Sequence, residues 1–188
     1  LTSTRQVFNN PNMPIYVVQI APWEYTGCNK TAAGEVRIAQ YKATKNMANT
    51  YLIPTLDLGS EICIHPSDKW SLAKRISRAV LGYQYGFKHT ACGPMLKGAS
   101  LVGPLVVLSF DNVKLLVHDT QKPNLFEIAG SDMEFFPANV VVSDHELTLF
   151  SHLVSDPVAV RYAAKNCVEP TLFNEIGLPI GSFEEQVE

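Results

Sequence analysis

The stretch IYVVQIA, residues 15–21, is the part of the sequence that decides the fold. It is almost continuously apolar, which is typical of a parallel strand that is covered on both faces. Three segments follow it: a helical pattern over residues 31–45, a second strand over residues 51–56 that Pro54 interrupts, and a helix over residues 66–83. The order strand, helix, strand, helix predicts a parallel α/β layer.

The sequence pattern changes to period two in the second half of the chain. Apolar residues alternate with other residues in three short segments, residues 106–111, 140–149 and 158–163. Short alternating strands separated by Gly, Pro, Asn and Asp indicate an antiparallel β-sandwich. We therefore expect two domains, an α/β domain over residues 1–90 and an all-β sandwich module without amphipathic helices over residues 91–188.

The composition excludes several classes of protein and partner. The chain has 188 residues, and 15 Lys and Arg against 18 Asp and Glu give a net charge of −3. With 46% hydrophobic and 18% charged residues, it is too apolar to be disordered and not basic enough to favour nucleic acid or an acidic membrane surface. No apolar run approaches the roughly 18 residues of a membrane span. The chain begins at Leu1 and not at Met, so we expect it to be processed or incomplete at its front.

The cysteines and most of the histidines give no sign of a metal site. The four cysteines form no C-x-x-C pair: Cys28, Cys63, Cys92 and Cys167. Two disulfides in any of three connectivities, or four free thiols, are compatible with this spacing. Four histidines have no Glu or Cys at ligand spacing and are interpreted as surface or edge residues: His89, His118, His145 and His152. We therefore expect neither a metal nor a cofactor.

His65 is the strongest candidate for a catalytic residue. It lies in the loop between the second strand and the following helix, and open α/β sheets bind their ligands at the carboxyl ends of parallel strands. The positive end of a helix that begins at Pro66 would disfavour the imidazolium and keep His65 neutral. A neutral histidine can act as general base for a hydroxyl nucleophile. The alternative is a histidine that only caps or packs at the helix entry.

Several segments of the chain resemble one family. NPNMPIYVVQIAPW, residues 10–23, resembles the core strand of the sialate O-acetylesterases, which are SGNH/GDSL-type hydrolases, and RIAQ, residues 37–40, resembles the helix after it. DLG, residues 57–59, with IHPSDK, residues 64–69, resembles the block that carries the family's catalytic histidine. Further matching segments follow in the family's order: Arg75, Tyr85-Gly86, Gly93-Pro94, and residues 126–130, 157–162, 172–174 and 177–179.

The resemblance implies an esterase that removes O-acetyl groups from sugars, with sialic acid as the family's namesake substrate. It implies part of a flavodoxin-like SGNH sheet followed by a jelly-roll-like module. The family's nucleophile is a serine in an amino-terminal Gly-Asp-Ser or Gly-Gln-Ser motif, and no serine of this chain lies in such a motif. The expected partners are therefore an amino-terminal chain with the catalytic serine and an O-acetylated saccharide. A secreted, periplasmic or lysosomal location follows from the family's substrates.

The resemblance is incomplete beside the histidine. The family carries an aspartate two or three residues before it, where this chain has Cys63 and Ile62. Glu61 is the candidate for an acid that orients His65; alternatively Glu61 is a solvated loop acid and a backbone carbonyl orients the ring. Asp57 is expected to terminate the strand or cap the loop. Cys63 is expected to be a packed thiol or one half of a disulfide.

Two functional hypotheses remain open from the sequence. In the first, His65 acts as general base for a serine on the missing amino-terminal piece. In the second, the chain is a non-catalytic carbohydrate-binding or structural remnant of such an enzyme. Arg161, on a strand of the second module, could bind the acid group of a sugar, but a structural ion pair is the preferred interpretation.

Overall fold

The structure, a computed structural model, describes residues 1–25, 30–87 and 93–188. The first two described segments contain three helices and two strands: α1 Thr2–Val7, β1 Ile15–Val18, α2 Ala32–Lys45, β2 Thr50–Ile53 and α3 Lys69–Tyr85. The third contains strands: β3 Met95–Val102, β4 Leu105–Asp111, β5 Leu116–His118, β6 Phe126–Ala129, β7 Phe135–Pro137, β8 Asn139–Ser143, β9 Glu146–Phe150, β10 Ala159–Tyr162, β11 Leu172–Asn174 and β12 Phe183–Gln186. The predicted parallel α/β layer followed by antiparallel strands is confirmed.

β1 and β2 pair in parallel, with Ile15 opposite Thr50, and both strands are shorter than the sequence predicts. β2 ends at Ile53 because Pro54, the next residue, has no N–H to donate to a ladder. β1 ends at Val18, and the Gln40 side chain of α2 then takes over the role of a neighbouring strand. Its amide donates to the Val18 carbonyl oxygen at 3.1 Å, and its oxygen accepts from the Ile20 N–H at 2.9 Å.

The helix after β2 begins at Lys69, so the prediction that it begins at Pro66 is wrong. Asp68 is the N-cap, and its carboxylate accepts a hydrogen bond from the Ser71 N–H at 2.9 Å. This acceptor satisfies one of the N–H groups that a helix leaves unpaired at its amino end, which fixes the start of α3. The helix ends at Gly86, whose positive φ of 74° favours a residue without a side chain.

Two four-stranded antiparallel sheets dominate the region after residue 93. Their strand orders are β3-β4-β9-β8 and β12-β10-β6-β7, and a smaller sheet pairs β5 with β11. Both large sheets contribute to one hydrophobic cluster, which includes Leu108 of β4, Leu147 of β9, Phe126 of β6 and Val160 of β10. The predicted alternation in β4 is confirmed, because its apolar residues at every second position are buried.

Buried polar side chains join the parallel layer to the β sheets. The Gln19 side-chain amide donates to the carbonyl oxygens of Arg37 at 2.9 Å and of Ser182 at 3.0 Å, and its oxygen accepts from the Ser182 N–H at 3.0 Å. The Asn166 side chain accepts from the Ala33 N–H at 2.8 Å, at the start of α2. One residue therefore ties β1 to α2 and to a segment more than 160 positions away.

Arg37 is the largest of the completely buried side chains at this junction. Its Nε donates to the Ser182 hydroxyl at 2.9 Å, and its terminal nitrogens donate to the carbonyl oxygens of Ala163, Lys165 and Asn166. None of the ion pairs among the described residues includes it, and burial lowers the pKa of Arg37 to about 10. This charge is stabilised by neutral oxygens alone.

The close approach at the junction also explains a glycine of α2. A Cβ atom at Gly34 would lie 1.8 Å from the Ala164 carbonyl oxygen, a distance that backbone atoms cannot accommodate. The division into domains at residue 90 stays a prediction, and residues 88–92 lie outside the described residues. No helix in the described part of the chain has the length and apolar character needed to cross a membrane.

Candidate functional site

The carboxyl ends of the two parallel strands form a cleft of about 280 Å³. The strands are held together there, because the Gln19 N–H donates to the Ile53 carbonyl at 3.0 Å and the Thr55 hydroxyl donates to the Gln19 carbonyl at 2.5 Å. The cleft is lined mainly by apolar groups from the strand ends, the following loops and the first turn of α3: Val18, Gln19, Ile20, Ala21, Tyr25, Thr55, Leu58, Ile64, Pro66, Asp68, Lys69 and Leu72. It lies where open α/β sheets bind ligands.

The segment Leu58–Ser67, which we name the His65 loop, borders this cleft through Ile64 and Pro66. His65 lies between these two residues and is exposed. The structure gives its imidazole no hydrogen bond or ion pair with another described residue, while its backbone carbonyl accepts from the Cys63 thiol at 3.3 Å. The sequence prediction thus places His65 correctly beside a cleft at the carboxyl ends of the strands, and its catalytic role stays a prediction.

A bidentate ion pair closes the base of the His65 loop. Arg75, in the second turn of α3, donates to the two carboxylate oxygens of Asp57 at 2.8 and 2.7 Å and also to the Pro54 carbonyl. Arg75 is only 5% exposed, and its Nε has no hydrogen-bond partner. Asp57 was expected to terminate the strand or cap the loop; β2 instead ends four residues earlier, and Asp57 neutralises this buried guanidinium.

The first part of the His65 loop is also held by the loop after β1. The Ser60 N–H donates to the Pro22 carbonyl at 3.1 Å. A Cβ atom at Gly59 would lie 2.4 Å from the same oxygen, so the two loops can approach this closely only with glycine at that position. Beyond Ser60 the loop is exposed, and Ile62 is 94% exposed.

The structure does not bring Glu61 into an ion pair with His65. Its carboxylate lies within electrostatic range of Cys167, on the β side of the molecule. Burial is the main cause of the raised pKa of the Cys167 thiol, and the charges of Glu61 and Glu24 raise it further. The orienting role of Glu61 stays a prediction.

The prediction for Cys63 is wrong. Its thiol is exposed and free, because the His65 loop is held at its base and nothing in the described structure covers the residues around Cys63. Cys167 is also free and half-buried. Cys28 and Cys92 lie outside the described residues, so their predicted alternatives are not resolved.

The remaining candidates fall within the β region. Arg161 donates to the Glu127 carboxylate at 2.7 Å across the β10–β6 pair, and its guanidinium lies 4.0 Å from the Phe135 ring centre. The interpretation of Arg161 as a structural ion pair is confirmed. His145 and His152 are exposed, as expected for surface residues, whereas His118 on β5 is half-buried. His89 lies outside the described residues.

In the described ranges, no three His, Cys, Asp or Glu side chains are grouped in a way that could hold a metal ion. Sequence reasoning missed the Asp57–Arg75 pair and the buried network of Gln19 and Arg37. Gln19 did carry a signal, because it is the polar residue within an apolar strand and a buried amide requires hydrogen-bond partners. Its partners could not be read from the sequence, since they lie on distant segments.

Comparisons with known proteins bear on this geometry. No family model and no curated protein matches the chain. Among solved structures, the similarity supports a relationship with the carbohydrate esterases. The matching structure is that of XAC1771, a carbohydrate acetylesterase from Xanthomonas citri, with a TM-score of 0.83 and 27% sequence identity. The match covers 98% of this chain and 44% of XAC1771, so this chain spans less than half the length of that protein.

Proposed function

We propose that this chain is the histidine-bearing part of a carbohydrate O-acetylesterase, which hydrolyses acetyl esters on sugars. The observation that carries the proposal is the structural similarity to the carbohydrate acetylesterase XAC1771 over 98% of the chain. The position of His65 beside a cleft at the carboxyl ends of β1 and β2 supports it. In this proposal the parallel layer is part of an SGNH-type, flavodoxin-like sheet, and the antiparallel sheets form a jelly-roll-like accessory module.

The proposed mechanism uses a serine nucleophile on an amino-terminal chain of the same enzyme. This part corresponds to the 56% of XAC1771 that the present chain does not match. His65 takes the serine hydroxyl proton as the serine oxygen attacks the acetyl carbonyl carbon. The tetrahedral intermediate then expels the sugar oxygen, which receives that proton from His65. An acetyl-serine ester remains on the enzyme.

The second half of the reaction repeats the proton transfers with water. His65 takes a proton from water as its oxygen attacks the acetyl-serine carbonyl, and returns the proton to the serine oxygen as acetate leaves. Hydrogen-bond donors for the oxyanion would come from the amino-terminal chain. Glu61 is the acid that we propose to orient the imidazole, and this contact would require the exposed loop to rearrange when that chain binds.

The proposed substrate class is O-acetylated saccharides, with 9-O-acetylated sialic acid as its most specific form. The apolar lining of the cleft supports a site for the acetyl methyl group and the adjacent sugar ring carbons. No nucleic acid and no membrane is proposed as a partner. A secreted, periplasmic or lysosomal location is proposed, because acetylated glycans are found in those compartments.

A second candidate is a non-catalytic carbohydrate-binding or structural remnant. The observation that favours it is the exposed imidazole of His65, which has no hydrogen bond or ion pair within the described part of the chain. A histidine that no longer acts as a base would not need an orienting group.

The test is an esterase assay on 4-nitrophenyl acetate and on O-acetylated sialic acid, with the full gene product that contains this chain. We expect His65→Ala to lower kcat by about 10³-fold or more, because the serine would lose its general base. His145→Ala, which removes an exposed histidine of the β8–β9 turn, is the matched control and should leave kcat unchanged. Unchanged turnover in His65→Ala would contradict the catalytic assignment. Binding of sugars by a protein inactive on both esters would favour the second candidate.

A further inference from the structure

We propose that Asp57 and Arg75 are positioning residues, which hold the His65 loop in one conformation at the carboxyl end of β2. The catalytic part of this inference rests on the proposed function of His65. Neither side chain lines the cleft. Their action would pass through the loop that carries the imidazole.

The geometry of the pair carries the proposal. Both terminal nitrogens of Arg75 bind Asp57, and the same guanidinium binds the carbonyl of Pro54, the first residue after β2. A planar guanidinium bound to two carboxylate oxygens fixes the orientation of both groups, which a single ionic contact does not. The end of the strand, the start of the loop and the second turn of α3 are thereby held in a single arrangement.

The loop has few other means of keeping its conformation. After the contact between Ser60 and Pro22, its next fixed point is the Asp68 cap of α3. The residues between these points are exposed and bury no core side chain, so they supply little packing of their own. The position of His65 is therefore set at the two ends of the loop, and Asp57 with Arg75 forms the buried part of that attachment.

The pair has a matched counterpart far from the cleft. Glu127 and Arg161 also form an ion pair of 2.7 Å between neighbouring elements, on strands β6 and β10. Loss of either pair removes one charged contact between elements. Only loss of the first should alter the His65 loop.

Amide hydrogen exchange on the folded chain tests this difference. Asp57→Asn keeps the shape of the side chain and removes its charge, and we expect exchange over residues 58–67 to rise at least 10-fold while exchange in β10 stays unchanged. Glu127→Gln should leave exchange over residues 58–67 unchanged. Unchanged exchange in the loop of Asp57→Asn, or an equal rise in β10, would overturn the proposal.

The imidazole signal of His65 in a histidine-labelled NMR spectrum supplies a second readout, assigned by its loss in His65→Ala. We expect this signal to shift or split in Asp57→Asn, while the signals of His145 and His152 keep their positions. If Asp57→Asn does not fold, Asp57→Glu keeps the charge and displaces the carboxylate by one methylene. An Asp57→Glu protein with the exchange and His65 signal of the unmodified chain would contradict the requirement for bidentate geometry.

These measurements separate the two proposals. In the full gene product, we expect Asp57→Asn to lower kcat at least 10-fold with little change in KM, because the acyl-transfer geometry is disturbed and not the sugar contacts. If His65→Ala keeps full activity, the proposed function fails, and the exchange result still decides whether the pair holds the loop. If His65→Ala is inactive and Asp57→Asn retains full kcat, only the positioning role fails.

Discussion

The two regions of this chain differ in how they bury side chains. Twenty buried residues, most of them in the β sheets, form one hydrophobic cluster, whereas the cluster between the parallel strands and α3 contains just Ile53 and Ala79 as fully buried members in the described part. The parallel layer is attached to the β region by the hydrogen bonds of Gln19 and Arg37. The β region thus has a core of its own, and the parallel layer depends on directional polar contacts.

The largest expected effect is in the core of the β region. Phe126 is completely buried, and its ring lies 4.6 Å from the ring of Tyr162 and 6.4 Å from that of Phe183. Phe126→Ala should lower the free energy of unfolding by about 3–5 kcal/mol, because it removes buried area and leaves a cavity. Urea unfolding of the chain measures this loss.

Leu153→Ala is the control for this prediction, because Leu153 is an exposed residue of the same region. We expect a change within about 0.5 kcal/mol. A loss below about 1 kcal/mol in Phe126→Ala would contradict the interpretation that the β sheets form the main core.

The next effect tests the polar junction. Arg37→Met keeps an apolar stem but removes every donor to the Ser182 hydroxyl and to the carbonyls of residues 163–166. We expect a loss of about 2–4 kcal/mol, because these buried acceptors would remain without hydrogen bonds. Hydrogen exchange should then rise first in β1 and β2, while β10 stays protected.

Arg37→Lys is the matched variant for the junction. It keeps the charge but has no planar fork of donors, and its stability should fall between those of the two other proteins. Equal loss of protection in β1 and β10 would show that the junction does not stabilise the parallel layer selectively.

A matched pair of small deletions compares the two cores directly. Ile53→Val and Ile128→Val each remove one methylene from a completely buried isoleucine, one in the parallel layer and one in the β cluster. Each should cost about 0.5–1.5 kcal/mol locally. Exchange in Ile53→Val should increase only in β1 and β2, whereas Ile128→Val should lower the urea midpoint of the whole chain. Identical exchange patterns would indicate one cooperative unit.

The sequence was sufficient where the fold depends on local periodicity. Val106, Leu108 and Phe110 alternate with less buried residues, and that pattern predicts the inward face of β4 from a few neighbouring positions. The end of β2 at Pro54 is equally local. The segment 31–45 predicts α2 almost to the residue.

The contacts that decide the site were not local. Arg37 binds residues that lie 126 to 145 positions further along the chain, and no periodicity reports such a distance. The start of α3 depended on whether Pro66 or Asp68 supplies the first turn, which the cap decides. The exposure of Cys63 followed from the missing cover over its loop, and composition gives no information about cover.

The smallest expected effect concerns pH and the β core. His118 packs edge-on against Phe126, and its Nε2 is buried without a partner. Burial lowers the pKa of His118 below its usual value, and the nearby Asp119 charge opposes this shift. The unfolded chain therefore binds a proton more readily than the folded chain, and the contribution of His118 to stability falls as the pH drops from about 6.5 through the lowered pKa. Urea midpoints at pH 7.5 and pH 5 should differ less in His118→Leu than in the unmodified chain. His145→Leu, which removes an exposed histidine, should keep the original difference, and a His118→Leu protein that also keeps it would contradict this assignment.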